Sequence, residues 1–132
     1  MAERCSFDYA VVRVVPRVER QEFINAGVLL FCAERHFLSA RIDLDEHLLL
    51  TLSPAAEPDI VRRHLEAIPS ICAGGPKGGP IGELPLRERW HWLVAPRSTI
   101  LQMSPPHTGL TDAPEAALDR LFEKLVARRS PR

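Results

Sequence analysis

The sequence predicts a single α+β domain built on an antiparallel three-stranded meander plus a fourth strand, with about three to four helices packed on the sheet. Three observations lead there. Residues 7–43 hold three runs rich in β-branched and aromatic side chains joined by short polar links, which is the pattern of a meander. Residues 114–126 place leucine and phenylalanine at helical spacing behind an Asp-Ala-Pro-Glu start. The 132 residues are 45% hydrophobic and 26% charged, enough for one core that buries roughly two thirds of the unfolded chain's surface. No internal repeat divides the chain, so 1–132 reads as one domain.

The first run, 7–15, is apolar on both alternating faces and reads as a central strand ended by Pro16. The second, 23–32, carries Asn25-Ala26-Gly27, where a glycine inside a strand signals a bulge or a close backbone approach. The third, 36–43, alternates Leu38, Ala40 and Ile42 with Phe37, Ser39 and Arg41. Asp45 is placed to cap a short helical turn over 48–52. Pro58 opens a helix whose Ile60, Val61, His64, Leu65 and Ile68 share one face until Pro69 disrupts it.

The Gly/Pro-rich stretch 73–83 reads as a flexible surface loop, and helical spacing resumes over 84–94 through Leu86, Trp90, Leu93 and Val94. Residues 97–103 are β-prone and supply the fourth strand, whereas 104–110 is turn chemistry. Asp112 is the expected N-cap of the last helix, with Pro114 in its first turn and Glu115 as the capping-box acid. Leu118, Leu121, Phe122, Leu125 and Val126 form its apolar face, and the basic tail 128–132 is expected to fray.

Lys+Arg and Asp+Glu both number 17, so the formal net charge is zero and the usual electrostatic case for a polyanion-binding protein is absent. The opening residues have neither the basic region nor the apolar core of a secretory signal, and the longest apolar run, 27–33, is far short of the roughly 20 residues that cross a bilayer. A cytoplasmic protein is expected. Cys5, Cys32 and Cys72 are odd in number, widely spaced and never paired as Cys-x-x-Cys, which reads as reduced, buried thiols.

Catalytic patterns are sparse. Lys77 lies between Pro76 and Gly78 with no Gly-Lys-Ser/Thr and no preceding strand, so 73–83 is a connector and not a phosphate cradle. The five histidines show no metal-ligand spacing, and no metal or cofactor is expected. His107 is set in a polar cluster with Arg97, Ser98, Thr99 and Gln102. Ser98 or Ser104 with His107 and Asp112 would make a nucleophile triad, but without a Gly-x-Ser-x-Gly elbow a capped turn is the simpler reading.

Arginines within strands carry more information, because a guanidinium keeps its charge and must find acceptors if it is covered. Arg13 and Arg41, in the first and third strands, can rise on one face beside the strand holding Asn25, and Arg97 and Gln102 approach if the fourth strand joins the sheet. Such a set binds a carboxylate or phosphate through paired donors. The alternative is internal satisfaction by Asp8, Glu22, Asp43 or carbonyls. In the mixed basic and aromatic segment 87–92, Trp90 belongs to the core, while Trp92 points roughly 160° away as a partner-binding anchor or a packed boundary residue.

Several phrases together, Tyr9-Ala10-Val11-Val12-Arg13, Glu22-Phe23-Ile24-Asn25-Ala26-Gly27-Val28, Arg89-Trp90-His91-Trp92-Leu93, Arg97-Ser98-Thr99 and Gln102 through His107-Thr108-Gly109, resemble the bacterial domain-of-unknown-function family 3037 over nearly the whole chain. Its most recognisable feature, Glu-x-x-Asn-x-Gly-Val, is supplied by Glu22, Asn25, Gly27 and Val28. The family has no established activity. The resemblance implies a small cytosolic protein with a partner or regulator role, in some cases beside a toxin-type kinase.

The expected function is a non-enzymatic binding or regulatory module that recognises a protein partner or an anionic group through Arg13, Asn25, Arg41, Arg97, Gln102 and His107. The alternative is an enzyme acting on a phosphate-containing or nucleotide substrate with His107 as acid/base. A single-strand RNA binder using Trp92 is a third class, and neutrality counts against it.

Overall fold

A ten-residue strand, β1 (Cys5–Val14), runs through the middle of the sheet because both of its faces are apolar. The computed structural model describes residues 3–97 and 99–128; Ser98 and the tail residues 129–132 lie outside the described residues. β2 (Ile24–Cys32) pairs antiparallel with β1, and β3 (Phe37–Ile42) pairs antiparallel with β2. On its other edge β1 is shared by two short antiparallel strands, β4 (Leu101–Met103) opposite Val12–Val14 and β5 (His107–Thr111) opposite Cys5–Tyr9.

The meander and fourth strand are present, and β5 is a fifth strand in a stretch whose composition reads as turn. Pro105 and Pro106 cannot donate to a ladder, so pairing along this edge must be interrupted between β4 and β5. Ser104 bridges the interruption. Its N–H donates to Val11 O at 2.9 Å, and its hydroxyl oxygen accepts from Val11 N at 2.8 Å, so the buried main chain of Val11 stays satisfied.

Helices cover the two faces unequally. α1 (Glu46–Leu52), α2 (Pro58–Ala73) and α4 (Leu86–Val94) pack on one face, where Leu49, Val61, Leu65, Ile68, Trp90 and Leu93 meet Ala10, Val12, Val14, Leu29 and Phe31. α5 (Pro114–Leu125) lies on the other, with Ala117, Leu118, Phe122 and the following Val126 against Cys5, Phe7, Val28, Leu30 and Cys32. With the single turn α3 (Gly79–Gly82), the described residues hold five helices, not three to four. No described helix is long and apolar enough to cross a membrane.

Four local expectations are corrected. α2 continues through Pro69 to Ala73, because Leu65, Ile68, Ile71 and Cys72 bury one continuous stripe whose packing outweighs the lost helical bond at the proline. Ile60 and His64 fall at the edge of that stripe and are exposed. The stretch 73–83 forms a 3-10 turn (Pro76–Gly78) and α3, closed by Gly75 N to Gly82 O and held by Arg89, whose guanidinium donates to Ile71 O, Cys72 O and Leu84 O. The start of α5 is tied by Thr111, not Asp112: the Thr111 hydroxyl accepts from Ala113 N and donates to Ala113 O.

The bulge expected near Gly27 is present. Val12 faces Gly27 but the next residue, Arg13, faces Asn25, so Ala26 is the extra residue of β2. At Gly27 the neighbouring strand comes so close that a Cβ would lie 2.7 Å from Arg41 O and 2.5 Å from Ile42 Cδ1. Gly27→Ala is therefore expected to destabilise the fold by about 1–3 kcal/mol, since a backbone oxygen must move, as measured by urea denaturation. Ser104→Ala, which strands the buried Val11 N–H, is expected to cost about 1–3 kcal/mol in the same assay.

Candidate functional site

The bulge decides which side chains share a face. Val28 and Leu30 of β2 point toward α5, and strict alternation would send Asn25 to the opposite, fully covered face. The extra residue at Ala26 reverses the parity, so Asn25 stands beside Arg13 on the α5 side. Arg13 is flanked in register by Asn25 on one side and Gln102 on the other. Phe23, one same-face step before Asn25, carries the Arg13 guanidinium 4.2 Å above its ring.

α5 covers only half of this face, over β2, β3 and the start of β1. On the other half, Tyr9, Arg13 and Gln102 are half-buried, His107 is exposed and Phe23 is 46% exposed. Arg13 is the unusual member. Its Nε is buried and unbonded, and no described residue gives its guanidinium an acceptor. Of the acids expected to satisfy it, Glu22 pairs with Arg20, Asp8, on the opposite face, accepts from Thr108 at 3.0 Å, and Asp43 lines the cleft beside α2 with Ile42 and Arg62.

The other predicted residues have different circumstances. Arg41 lies on the same face but under α5, where it meets Asp119 at 3.1 Å and stacks 4.1 Å above the Phe122 ring. Asn25 Nδ2 donates to Leu125 O at 3.2 Å and so ties the last carbonyls of α5 to the sheet. Gln102 Nε2 donates to Thr99 O at 2.9 Å. His107 lies opposite Tyr9, with ring centroids 5.4 Å apart. Tyr9 and Arg13 are four residues apart on one strand, so His107 stands about 13 Å from the guanidinium's strand position.

Arg97 is separated from this set. β4 begins only at Leu101, and the Arg97 guanidinium caps the end of α4 by donating to the carbonyls of Leu93, Ala95 and Trp92. Trp92 is 40% exposed but lies beneath that guanidinium, 4.2 Å from its carbon. Trp90 stacks on Phe31 in the core. Two clefts lie near α2: one of about 430 Å³ lined by Ile42, Arg62 and Glu66, and an apolar one of about 270 Å³ between α2, α4 and β4 lined by Ile71, Trp92 and Met103. Neither includes Arg13, Asn25, Gln102 or His107.

Among the described residues no group of three or more His, Cys, Asp or Glu is placed to hold a metal ion. The three cysteines are buried and reduced. Burial pushes the Cys72 thiol up to about 12, so it stays protonated at neutral pH and is no nucleophile. Sequence reasoning gives Phe23, Tyr9 and Arg89 no role beyond their place in the family phrases, and Ser104, weighed there as a nucleophile, instead accepts from Val11 N. The signal for Phe23 was present: it stands two residues from Asn25 within one strand-like run, hence on the same face.

A protein-family model described as Protein of unknown function (DUF3037) matches residues 9–126. The chain belongs to the DUF3037 family. The match spans all five strands from Tyr9 onward and all five helices, so the DUF3037 unit and the fold coincide. No curated protein and no solved structure matches the chain. In this DUF3037 protein the Glu-x-x-Asn-x-Gly-Val phrase is the bulged start of β2: Asn25 ties down α5, Gly27 admits the Arg41 carbonyl and Val28 enters the core.

Because Arg41 and Asp119 are each about half exposed, a double-mutant cycle at this pair is expected to yield a coupling of under about 1 kcal/mol. Arg41→Ala is expected to cost more than Asp119→Ala, because only the arginine also covers Phe122. The Cys72 thiol is expected to resist iodoacetamide in the native protein at pH 8 and to react once the chain is unfolded in urea, as read by intact mass.

Proposed function

We propose that this DUF3037 protein is a non-enzymatic, cytoplasmic binding module whose open half-face takes an anionic group, a carboxylate or phosphate, presented by a protein partner. One observation carries the reading: Arg13 lies over the Phe23 ring between two in-register carboxamide residues, with no acceptor among the described residues. A guanidinium covered in this way and left without an acceptor loses hydration with no return inside the fold. An external anion restores those bonds and, in a partly desolvated setting, binds more strongly than at an open surface.

The surroundings support a binding role over catalysis. Asn25 and Gln102 stand on either side of Arg13 and orient a planar acceptor, while Phe23 and Tyr9 offer apolar surface to the group that bears it. His107 packs against Tyr9 with tilted rings and stands away from Arg13, which favours a peripheral contact over the acid/base role of a phosphate-handling enzyme. A toxin-type kinase, the partner implied by the family resemblance, is the first candidate for the protein that presents the anion.

The test follows side-chain N–H signals of arginine, asparagine and glutamine by NMR during titration with inorganic phosphate and, separately, with an acidic peptide. Arg13 Nε–H and the amides of Asn25 and Gln102 are expected to shift together, and Arg13→Gln is expected to weaken the response about tenfold or more while leaving the backbone spectrum native. An absence of shifts on this face with both probes, or an undiminished response in Arg13→Gln, overturns the reading.

A further inference from the structure

At the far end of the same face, two sulfurs lie side by side. Cys5 opens β1 and Cys32 closes β2, and their Sγ atoms are 3.2 Å apart. The sheet dictates the pairing: Asp8 faces Phe31, so continuing the register sets Cys32 beside Phe7 and Cys5 one same-face step beyond. Both thiols are buried beneath α5 with Ala117 and Leu118. No third metal ligand stands with them among the described residues. Cys72 belongs to the cluster on the opposite face of the sheet.

We propose that Cys5 and Cys32 are a modification site, forming a reversible intramolecular disulfide when the protein meets a hydroperoxide. Closing the sulfurs to a bond of about 2.05 Å requires roughly 1 Å of approach, within reach of small side-chain rotations. One thiol loses its proton and attacks the peroxide, breaking the O–O bond; the sulfur becomes a sulfenic acid and the leaving oxygen departs as water or an alcohol. The second thiol then attacks the sulfenic sulfur, forming the S–S bond and releasing water. In balance two S–H bonds are lost, the thiol pair gives up two electrons, and the peroxide is reduced.

The reduced pair is quiet at rest. The Cys5 thiol donates to Thr111 O at 3.2 Å, and burial, then the contact with Cys32, push that thiol above its ordinary value. Oxidation therefore calls for local opening of this end of the sheet. Just ahead of β1, Glu3 O accepts from Arg35, which also donates to Asp112 O. Once formed, the bond ties the start of β1 to the end of β2. Cys5 and Arg13 are eight residues apart along β1, about 26 Å, so this site stands apart from the residues proposed to take the anion.

The test treats the reduced full chain with hydrogen peroxide under native conditions, then alkylates and maps it by mass spectrometry. The expected product has lost two hydrogens, carries a Cys5–Cys32 linked peptide, melts higher by roughly 5–15 °C and reverts with dithiothreitol. Cys72→Ser is expected to cross-link as the native chain does, and Cys32→Ala is expected not to. The proposal is overturned if Cys5 and Cys32 remain fully alkylatable, if they are oxidised only beyond the disulfide, if the linkage involves Cys72, or if it forms only after denaturation.

Discussion

The approach of β3 to Gly27 is the constraint on which the candidate face depends. There is no room for a Cβ between Gly27 and the Arg41 carbonyl, and beside this contact β2 takes up one extra residue at Ala26. The period of a strand is two, so a single inserted residue exchanges the two faces for everything on its far side. Asn25 is thereby delivered to the face of Arg13, where it also reaches Leu125 and anchors the end of α5. A glycine, a bulge and a helix terminus are thus one device. The chain segment from Glu22 to Val28 builds it.

The sheet carries charge at two places on its α5 side, and the protein treats them differently. Arg41 is answered within the fold by a carboxylate and an aromatic ring, an arrangement that at half exposure is worth little but leaves nothing unsatisfied. Arg13 has the aromatic ring without the carboxylate. Leaving a buried donor unmade costs about 1–3 kcal/mol, comparable to a sizeable fraction of a small domain's net stability. Retention of that cost beside two carboxamides, on the half of the sheet α5 leaves open, is what supports an external acceptor as the purpose of the site.

Arg97 and Arg89 show how the same residue type can be wholly structural. Each directs its fork at main-chain oxygens, Arg97 at the end of α4 and Arg89 at the end of α2 and the turn before α4. Those carbonyls are the unpaired acceptors every helix end presents, and a single guanidinium satisfies several at once because its donors are fixed in a plane. The Gly/Pro stretch between α2 and α4 is shaped by Arg89 together with its own residues, since Gly74, Gly75 and Gly79 take positive φ and Pro76 and Pro80 open its two short helical turns.

Much of the architecture was legible without coordinates. The three meander strands, the helices after Pro58 and Pro114, the strand anomaly at Gly27 and the burial of Cys5, Cys32 and Cys72 all follow from local periodicity and composition, which the chain expresses over a few residues at a time. β5 was not legible, because Pro105-Pro106 and Gly109 read as turn, and only the free edge of β1 recruits residues 107–111 into the sheet. Continuation of α2 through Pro69 was decided likewise by tertiary packing. The candidate site divides along the same line. That Arg13 and Arg41 could share a face was a matter of alternation; that Asn25 joins them through the bulge, Arg41 is answered, Arg97 lies elsewhere, Arg13 is left open and two sulfurs 27 positions apart in sequence come into contact was decided by register. Sequence by itself determines the local period of each segment, whereas the pairing of distant segments depends on which buried surfaces and hydrogen-bonding edges meet, and those exist only once the chain has folded.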